Sequence, residues 1–390
     1  MGLFSRTPKI NTDEAAVAAV LTRGVENVIP RELALKKLRS GERLRVYLGI
    51  DPTGAKLHLG HSVPLRKLRE FGELGHEVIF LVGSFTAMVG DPTGRETKRE
   101  PLTRERIEEN FKTYKTQASK ILDFSNVELR YNHEWLEKMQ FADIMKLASH
   151  FTVQQMLERD MFRERMKREE DLSPNEFFYP LMQGYDSVVL DVDCEVGGND
   201  QLFNMLAGRK LQRAFGRREK FILTTKLIEG TDGRKMSKTY DNCVYLEDTP
   251  SDMYGKVMSI KDELVPTSFE VATDVTTDDI AQILAGHPKE AKMRLACEIV
   301  TLYHGKDAAA KAESDWHNTF IGGGVPADVP VVKNGKLRDI VKDISTSELR
   351  RLVDQGAVSS VLSGKKVKSI DTEIANDVMR IGKHKFLKTH

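Results

Sequence analysis

The chain has 390 residues, of which 40% are hydrophobic and 30% charged, a composition typical of folded globular proteins. Its length favours two or three domains, and its apolar content excludes global disorder. The three cysteines lie far apart and form no CxxC pair, which argues against a disulfide scaffold or a zinc finger. No apolar stretch approaches the ~18 residues of a membrane helix, and the first residues lack the apolar core of a signal peptide. We therefore expect a cytoplasmic protein without membrane contact.

The formal net charge of +1 conceals an asymmetry along the chain. The segment 331–390 holds 13 Lys and Arg against 7 Asp and Glu, a net charge of +6, whereas residues 1–330 carry a net charge of −5. A basic segment attached to a mildly acidic body raises the expectation of a nucleic-acid partner.

The first elements of the chain follow an α/β pattern. We expect a helix over 12–29, a short strand over 45–51, and then a helix that runs to about Leu74. That second helix should begin near His61 or Ser62, because Pro64 fits only a first turn. The apolar run 78–82 predicts a parallel strand buried on both faces. Strand, helix and strand together form a βαβ unit, which indicates the α/β class.

The remaining chain before the basic segment is predicted to be mainly helical. This holds for residues 101–175 and for 245–320. The charged run from Arg159 to Asp171 is interpreted as a solvated helical face without a site. The Gly- and Pro-rich stretch 321–330 is the best linker. The predicted domains are 1–245, with a helical insertion at about 110–178, then 246–322, and finally 331–390.

A first chemical motif, His58-Leu-Gly-His61, lies between the first strand and its helix. A helix N-terminus offers free N–H groups and a partial positive charge, so phosphate binds well there. Gly60 removes a side chain where a nucleotide would approach, and the two imidazoles can donate to phosphate oxygens. Taken alone, the tetrapeptide is equally compatible with two polar residues at a helix start.

A second motif is the ten-residue segment Gly230-Thr-Asp-Gly-Arg-Lys-Met-Ser-Lys-Thr239. Its glycine-flanked turn presents two lysines and a hydroxyl, and such a loop can close over a triphosphate and neutralise the departing pyrophosphate. An isolated KMSK string is more often a solvated basic turn. Both motifs in this order resemble the HxGH and KMSKS signatures of class I aminoacyl-tRNA synthetases, with Thr239 in the fifth position of the second.

A third pattern lies in the segment 177–186, which should open a helix because Pro180 suits a first turn. Tyr179, Gln183 and Asp186 are spaced so that all three polar groups share one helix face, among apolar neighbours. Polar groups on such a stripe are costly to bury unpaired, which favours a binding role over an ordinary polar outer face.

The same spacing occurs in the tyrosine-binding helix of tyrosyl-tRNA synthetases, and the chain resembles their bacterial members over about residues 40–260. Three further segments match in order: Tyr47–Thr53, Gly90–Gly94 and Gly197–Gln201. Tryptophanyl-tRNA synthetases are the nearest relatives but lack the Tyr-Gln-Asp stripe. The resemblance implies a Rossmann-like parallel-sheet catalytic domain with a helical insertion, an all-helical anticodon-side domain, and a homodimer.

The resemblance also implies roles for the residues that would bind tyrosine. Tyr47 and Asp186 would hold the phenolic hydroxyl of the substrate. A site built to pair a hydroxyl strongly rejects the analogue that lacks it, a discrimination for which this enzyme family is a standard example. The ammonium group would be held by Asp91, Tyr179 and Gln183, and the carboxylate would be steadied by Gln201.

For ATP, the resemblance implies that Asp200 holds the ribose and that Gly198 lets the nucleotide approach. Asp200 is equally interpretable as the neighbour of a helix N-cap at Asn199. Arg95 and Arg99 would add positive charge at the triphosphate, or would be exposed surface arginines. The residues implied in ATP binding are Gly49, Asp51, Thr53, His58, His61, Gly198, Asp200, Lys235, Ser237 and Lys238. Among these, the catalytic group comprises His58, His61, Lys235 and Lys238.

The implied reaction has two steps. The tyrosine carboxylate attacks the α-phosphorus of ATP and expels Mg-pyrophosphate, and a terminal ribose hydroxyl of tRNA(Tyr) then attacks the adenylate. Positioning and charge stabilisation suffice, without a covalent nucleophile. Mg²⁺ is expected to arrive with ATP, since the sequence shows no carboxylate cluster suited to a dedicated metal site, and no tightly bound cofactor is expected.

The basic tail contains a helix that ends at Gly356 and a lysine-rich turn after it. It resembles a small α/β RNA-binding module that is named for a ribosomal protein and is common at the end of bacterial tyrosyl enzymes. The residues predicted to contact RNA are Arg350, Arg351, Lys365, Lys366 and Lys368. A merely soluble basic tail is the alternative.

Two rival functions stay open at this point. One is a tryptophanyl enzyme, and the other is a catalytically retired paralogue that binds RNA as a regulator. The intact HLGH and KMSK segments argue against the second, because a binding protein has no need of them.

Overall fold

The computed structural model describes residues 9–92, 102–320, 329–382 and 385–390. The chain forms two compact units. The first comprises the residues up to Asp248 together with Ile260–Ala291, and the second comprises Thr249–Ser259 and Lys292–His390. No helix in the described part of the chain is long and apolar enough to cross a membrane.

Helices dominate the chain. In order they are α1 (Glu14–Val20), α2 (Arg31–Arg39), α3 (Leu59–Glu73), α4 (Thr86–Val89), α5 (Arg104–Ala118), α6 (His133–Leu136), α7 (Phe141–Ala148), α8 (Val153–Leu157), α9 (Asp160–Lys167), α10 (Pro174–Leu190), α11 (Leu202–Ala214), α12 (Pro250–Met258), α13 (Val265–Ala272), α14 (Thr277–Leu284), α15 (Pro288–His304), α16 (Lys306–Phe320), α17 (Leu337–Ile340) and α18 (Thr346–Asp354). The strands are β1 (Val25–Ile29), β2 (Arg45–Ile50), β3 (Glu77–Val82), β4 (Val127–Tyr131), β5 (Cys194–Gly198), β6 (Phe221–Thr225), β7 (Val331–Val332), β8 (Gly335–Lys336), β9 (Val358–Ser360), β10 (Glu373–Ile374), β11 (Val378–Ile381) and β12 (Lys385–Thr389).

The first unit is built on a six-stranded sheet in the order β1-β6-β5-β2-β3-β4. All neighbours are parallel except β1, which runs antiparallel to β6. From β2 the chain builds outward to β3 and β4 on one side and later to β5 and β6 on the other. The crevice at the carboxyl ends of β2 and β5 is therefore a topological switch point, where open α/β sheets bind ligands. The predicted α/β class is confirmed.

The predicted helix over 12–29 is wrong in its second half. Asp13 caps α1, its side chain accepting from the backbone N–H of Ala16, but the helix ends at Val20. Gly24 adopts a left-handed φ of +64° and turns the chain into β1. Val25 and Val28, which belong to the second half of the predicted helix, lie instead in a strand paired with β6.

The two prolines used to place helix starts both lie inside their helices. His58 is the N-cap of α3, so Pro64 is in the helix interior. Ser173 caps α10 through a capping box with Glu176, which places the start six residues before Pro180. A good cap thus determined each start, and each proline is tolerated although it lacks the N–H for one helical hydrogen bond.

The segment predicted as helical over 101–175 also contains a strand. The strand β4 runs parallel to β3 at the sheet edge, with Val78 opposite Val127. Its charged residues Glu128 and Arg130 pair with each other at 3.3 Å on this half-exposed edge. Charged residues are common on edge strands, and here they obscure the alternation of polar and apolar residues from which a strand is predicted.

The tail forms its own small α/β arrangement inside the second unit. A four-stranded sheet in the order β7-β12-β11-β9 and the two-stranded pair β10-β8 accompany α17 and α18. Buried Leu337, Leu349, Val358 and Met379 belong to one apolar cluster. Gly356 follows α18 with a left-handed φ of +66°, as expected after a helix end.

Candidate active site

A cavity of about 940 Å³ lies at the switch point of the first unit's sheet. It extends from the carboxyl ends of β2 and β5 to the start of α3, the face of α10 and the KMSK segment. The structure brings together here every residue that the sequence predicted for tyrosine or ATP: Tyr47, Gly49, Asp51, Thr53, His58, His61, Asp91, Tyr179, Gln183, Asp186, Gly198, Asp200, Gln201, Lys235, Ser237 and Lys238.

The two motif histidines form a capping box at the start of α3. The backbone N–H of Gly60 donates to Nδ1 of His58 at 3.1 Å, and the backbone N–H of His58 donates to Nδ1 of His61 at 3.2 Å. The His58 ring lies so close to Gly60 that a Cβ there would be 2.9 Å from Nδ1, so the glycine makes room for the histidine as well.

Both imidazoles are held neutral. Burial, with smaller contributions from Lys238 and Lys235, lowers the pKa of His58 to about 3. Desolvation, His58 and the same lysines lower the pKa of His61 well below its usual range. A neutral ring whose Nδ1 accepts carries its proton on Nε2. Each histidine therefore offers one Nε2–H donor that stays in place at physiological pH.

The KMSK lysines lie at the opposite wall. The ammonium of Lys235 donates to Asp200 at 2.7 Å, and that of Lys238 lies 3.3 Å from the Tyr114 hydroxyl. The loop is shaped by buried Asn242, which accepts from the backbone N–H of Ser237 at 2.8 Å and donates to Asp232 at 2.7 Å. Two positive charges are thus held beside a helix N-terminus, an arrangement that suits a polyphosphate.

The deep end of the cavity holds Asp186, which is only 2% exposed. The Trp135 indole N–H donates to one of its carboxylate oxygens at 2.8 Å, and the Asn132 amide donates to the other at 3.2 Å. Burial raises the pKa of Asp186 well above its usual range, and these two hydrogen bonds act against that rise. Asn132 and Trp135 follow the strand that the sequence reading missed.

A second carboxylate group lies nearer the cavity mouth. Asp51 accepts from the Tyr179 hydroxyl at 2.9 Å, and Asp91 accepts from the Gln201 amide at 2.7 Å. Arg159 lies 3.9 Å from Asp91 and packs between two aromatic rings, with only 6% of its surface exposed. The prediction that the run beginning at Arg159 is entirely a solvated face is therefore wrong at its first residue.

The comparisons with known proteins agree with this geometry. The family model described as "tRNA synthetases class I (W and Y)" matches residues 39–321. The chain belongs to this family. A tyrosine–tRNA ligase of Thermotoga maritima is 44% identical over 95% of this chain and 96% of its own length. One of Oleidesulfovibrio alaskensis is 45% identical over 94% and 97%. Among solved structures, a C-terminally truncated mitochondrial tyrosyl-tRNA synthetase of Coccidioides posadasii is similar with a TM-score of 0.62 and 26% identity, covering 78% of this chain and 92% of its own.

In this class I synthetase, the sequence reading missed a polar network beneath the cavity. Ser187, Glu195 and Lys220 are all buried, and they connect to Tyr47 and Gln183.

Arg95 and Arg99 lie outside the described residues. The five predicted RNA contacts, Arg350, Arg351, Lys365, Lys366 and Lys368, are all exposed on the tail. Arg351 is paired with Glu348 at 2.6 Å.

Proposed function

We propose that this chain joins L-tyrosine to tRNA(Tyr), with ATP as the energy source, in the cavity described above. The observation that carries the proposal is the meeting of three groups in one cavity: neutral histidines at a helix N-terminus, two lysines opposite them, and a buried carboxylate beside a tyrosine hydroxyl. The first two groups suit a triphosphate, and the third suits a hydroxyl at the end of an aromatic substrate.

The tyrosine half of the site contacts both ends of the substrate. Tyr47 and Asp186 hold the phenolic hydroxyl at the deep end. Asp91, Tyr179 and Gln183 hold the ammonium group, because a carboxylate and two polar side chains offer acceptors for its three N–H donors. Gln201, already bonded to Asp91, steadies the substrate carboxylate.

The ATP half holds the ribose and the phosphates. Asp200 takes the ribose hydroxyls, which requires that its bond to Lys235 be exchanged for one to the nucleotide. Lys235 is then available for the phosphates together with Lys238 and the two Nε2–H donors of the histidines. Supporting contacts to the nucleotide come from Gly49, Asp51, Thr53, Gly198 and Ser237.

In the first step, a carboxylate oxygen of tyrosine forms a bond to the α-phosphorus while the bond to the bridging oxygen of pyrophosphate breaks. Negative charge builds on the phosphate oxygens, and donors already fixed in place stabilise it. His58 and His61 act as hydrogen-bond donors and not as proton acceptors, because their Nδ1 atoms are already occupied. In the second step, a ribose hydroxyl of the tRNA attacks the adenylate carbonyl and releases AMP.

Mg²⁺ enters as part of the ATP substrate and supplies charge neutralisation on the departing pyrophosphate. The described residues contain no group of three or more His, Cys, Asp or Glu side chains that could hold a metal ion.

The tail holds tRNA through phosphate contacts of Arg350, Arg351, Lys365, Lys366 and Lys368. Their exposure and the net charge of +6 over 331–390 support this role. Such contacts depend strongly on salt and little on sequence, so base-specific recognition falls to another surface. The helical segment 246–322 is our candidate for the anticodon side.

The active form is a homodimer in the cytoplasm. Support comes from large apolar side chains exposed on consecutive helices of the first unit, where Phe141 is 76%, Val153 67% and Met145 55% exposed. An exposed apolar group of this kind is typical of a protein–protein interface.

A tryptophan-specific enzyme is the alternative within the family. An indole carries no hydroxyl, so it would leave buried Asp186 and Tyr47 facing an apolar edge at a cost in binding. Within the described residues we find no feature that favours this alternative or a retired RNA-binding paralogue.

The Asp186→Asn variant tests the site assignment. We expect kcat/KM for tyrosine in adenylate formation to fall about a hundredfold, because one charged hydrogen bond to the hydroxyl is lost, while the weak activity with phenylalanine changes little. Asp193→Asn is a matched control, since Asp193 is also buried but pairs with Lys37 and does not line the cavity. A variant with unchanged preference for tyrosine over phenylalanine would show that Asp186 does not read the hydroxyl.

A further inference from the structure

Lys220 is a fully buried lysine directly behind the tyrosine half of the cavity, with none of its side chain exposed. In the sequence it follows Arg217-Arg-Glu219 and looks like a surface residue. Its ammonium forms an ion pair with Glu195 and donates to the Ser187 hydroxyl at 2.7 Å. Burying a charge is expensive unless it is paired and hydrogen-bonded, so a lysine at this place calls for an explanation beyond packing.

The Ser187 hydroxyl links Lys220 to the substrate site. Its oxygen lies 2.9 Å from the Tyr47 hydroxyl and 3.3 Å from the nearer Glu195 oxygen. An ammonium can only donate, so Ser187 must accept from Lys220 and direct its single proton elsewhere. The Tyr47 oxygen is the nearer of the two acceptors, and Glu195 already accepts from Lys220.

If Ser187 donates to Tyr47, the Tyr47 proton is available either to Glu195 or to the cavity that Tyr47 lines. In the second case, a chain of donors runs from the ammonium of Lys220 through Ser187 and Tyr47 to a hydroxyl in the cavity. That hydroxyl can in turn donate to the carboxylate of Asp186. The direction of this chain is fixed at the lysine, because an ammonium donates only, and at the other end both Asp186 oxygens already act as acceptors, for Trp135 and Asn132.

Glu195 is the competitor for the Tyr47 proton. Burial raises the pKa of the Tyr47 phenol well above its usual range, and the charges of Glu195 and Asp186 and a hydrogen bond between Tyr47 and Glu195 raise it further. By pairing with Glu195, Lys220 neutralises the acceptor that would otherwise draw this proton away from the cavity. The other Glu195 oxygen accepts from the Gln183 amide at 3.1 Å, so the same pair also holds a residue at the opposite end of the substrate.

We propose that Lys220 is a positioning residue for tyrosine selection, which acts through Ser187 and Glu195 to aim the Tyr47 hydroxyl at the substrate. This inference rests on the proposed function, since it assumes that Tyr47 and Asp186 meet the phenolic hydroxyl of tyrosine. It adds that the selectivity of the site depends on a buried ion pair whose lysine does not line the cavity.

The test compares Lys220→Met and Ser187→Ala in ATP–pyrophosphate exchange with tyrosine and with phenylalanine. We expect the KM for tyrosine to rise about tenfold or more in each variant, while the KM for ATP stays unchanged, because the lost hydrogen bond serves only the tyrosine half. The ratio of kcat/KM for tyrosine to that for phenylalanine should fall by a similar factor. Ser187→Ala keeps the ion pair, so it tests the chain even if Lys220→Met folds poorly.

Two further variants separate positioning from stability. Adding Glu195→Gln to Lys220→Met should restore part of the tyrosine affinity, because the uncompensated competing charge is removed. Lys67→Met is the matched control: Lys67 is also buried and paired, with Glu70 at 2.6 Å, but it does not line the cavity. It should lower stability without changing the tyrosine-to-phenylalanine ratio.

The inference is overturned if folded Lys220→Met and Ser187→Ala keep the parent KM for tyrosine and the parent selectivity, as Lys67→Met should. It is also overturned if the KM values for tyrosine and ATP rise together. If the unmodified enzyme catalyses exchange with tyrosine, either of these results counts against this inference alone and leaves the proposed function standing. A parent enzyme that is silent with tyrosine contradicts the proposed function, and the inference falls with it.

Discussion

At the scale of single residues, the two motif histidines show how a backbone arrangement selects a protonation state. The N–H groups at the start of α3 occupy Nδ1 of both rings, and burial next to two lysines disfavours a proton there. The rings are then donors through Nε2 only. A neutral donor loses no proton between substrate binding and the transition state, which suits stabilisation of developing charge.

The low pKa of His58 predicts that the folded chain loses stability on acidification. The pKa is 6.5 in the unfolded chain and about 3 in the folded one, so below pH 6.5 the unfolded state binds a proton that the folded state does not. The free energy of unfolding therefore decreases as the pH falls, by about 1.4 kcal/mol from this residue at about pH 5.5. Urea titrations at neutral pH and at about pH 5.5 measure it.

The matched variant for this experiment is His58→Asn, because asparagine retains a good helix cap without a titrating ring. We expect the loss of stability between the two pH values to be smaller in the variant by about 1.4 kcal/mol. An equal loss in parent and variant would mean that His58 titrates alike in the folded and unfolded chains.

Site residues that carry a distinctive motif were predictable, and residues that support them were not. HLGH and KMSK in this order, together with the spacing of Tyr179, Gln183 and Asp186, indicate chemistry by their combined pattern. Lys220 and Arg159 lie in charged runs that normally face solvent, and nothing local distinguishes a buried member of such a run. Their burial results from tertiary contacts, which the sequence does not display.

At the scale of elements, α5 holds the loop between β2 and α3 that carries Thr53 and leads to His58. The buried Gln117 amide accepts from the backbone N–H of Leu57 at 2.6 Å and donates to the carbonyl of Ala55 at 2.8 Å. Asn110 donates to the carbonyl of Pro52 at 2.9 Å. One helix face thus fixes the phosphate-side loop by side-chain bonds to its backbone.

Replacing Gln117 by alanine should loosen that loop and weaken ATP binding. We expect a several-fold rise in the KM for ATP with little change in the KM for tyrosine, and a loss of stability of about 2 kcal/mol from the unpaired backbone groups. Exchange kinetics and urea titration measure the two effects. Thr116→Ala is the control, since Thr116 bonds only within its own helix. Equal changes in both KM values would contradict a role confined to the ATP half.

The predictions of helices and strands succeeded where the hydrophobic pattern was long or strongly apolar, as in β3. They failed where a local sequence preference competed with tertiary packing. The residues after Gly24 have helix-like spacing but pair with β6, a strand almost 200 positions away. Pro64 and Pro180 pointed to helix starts because an interior proline is unfavourable, yet caps at His58 and Ser173 set the actual starts. Such competition is resolved only by the packing of the folded chain.

At the scale of the whole molecule, the uneven distribution of charge along the chain matches the functions we propose for its two parts. In the acidic part of the chain, Lys235 and Lys238 place positive charge at the phosphate half of the cavity. The surplus positive charge is in the tail, where exposed arginines precede β9 and exposed lysines follow it. A net charge near zero was therefore no argument against a polyanionic partner.

Neutralising the tail should separate tRNA binding from amino-acid activation. We expect a variant with glutamine at Arg350, Lys365, Lys366 and Lys368 to need about tenfold more tRNA for half-maximal charging, with a weaker dependence on salt. Tyrosine-dependent pyrophosphate exchange should be unchanged. Lys342→Gln removes an exposed charge from the same tail and is the control. Equal loss of charging and exchange would indicate that the tail is structural.

ATP–pyrophosphate exchange of the purified full chain with single amino acids is the direct test of whether this protein activates tyrosine. We expect strong exchange with L-tyrosine, only weak exchange with phenylalanine and none above background with tryptophan, because only tyrosine fills the space between Tyr47 and Asp186 with a hydroxyl. Exchange that depends on tryptophan, or silence with all three amino acids, would contradict this expectation.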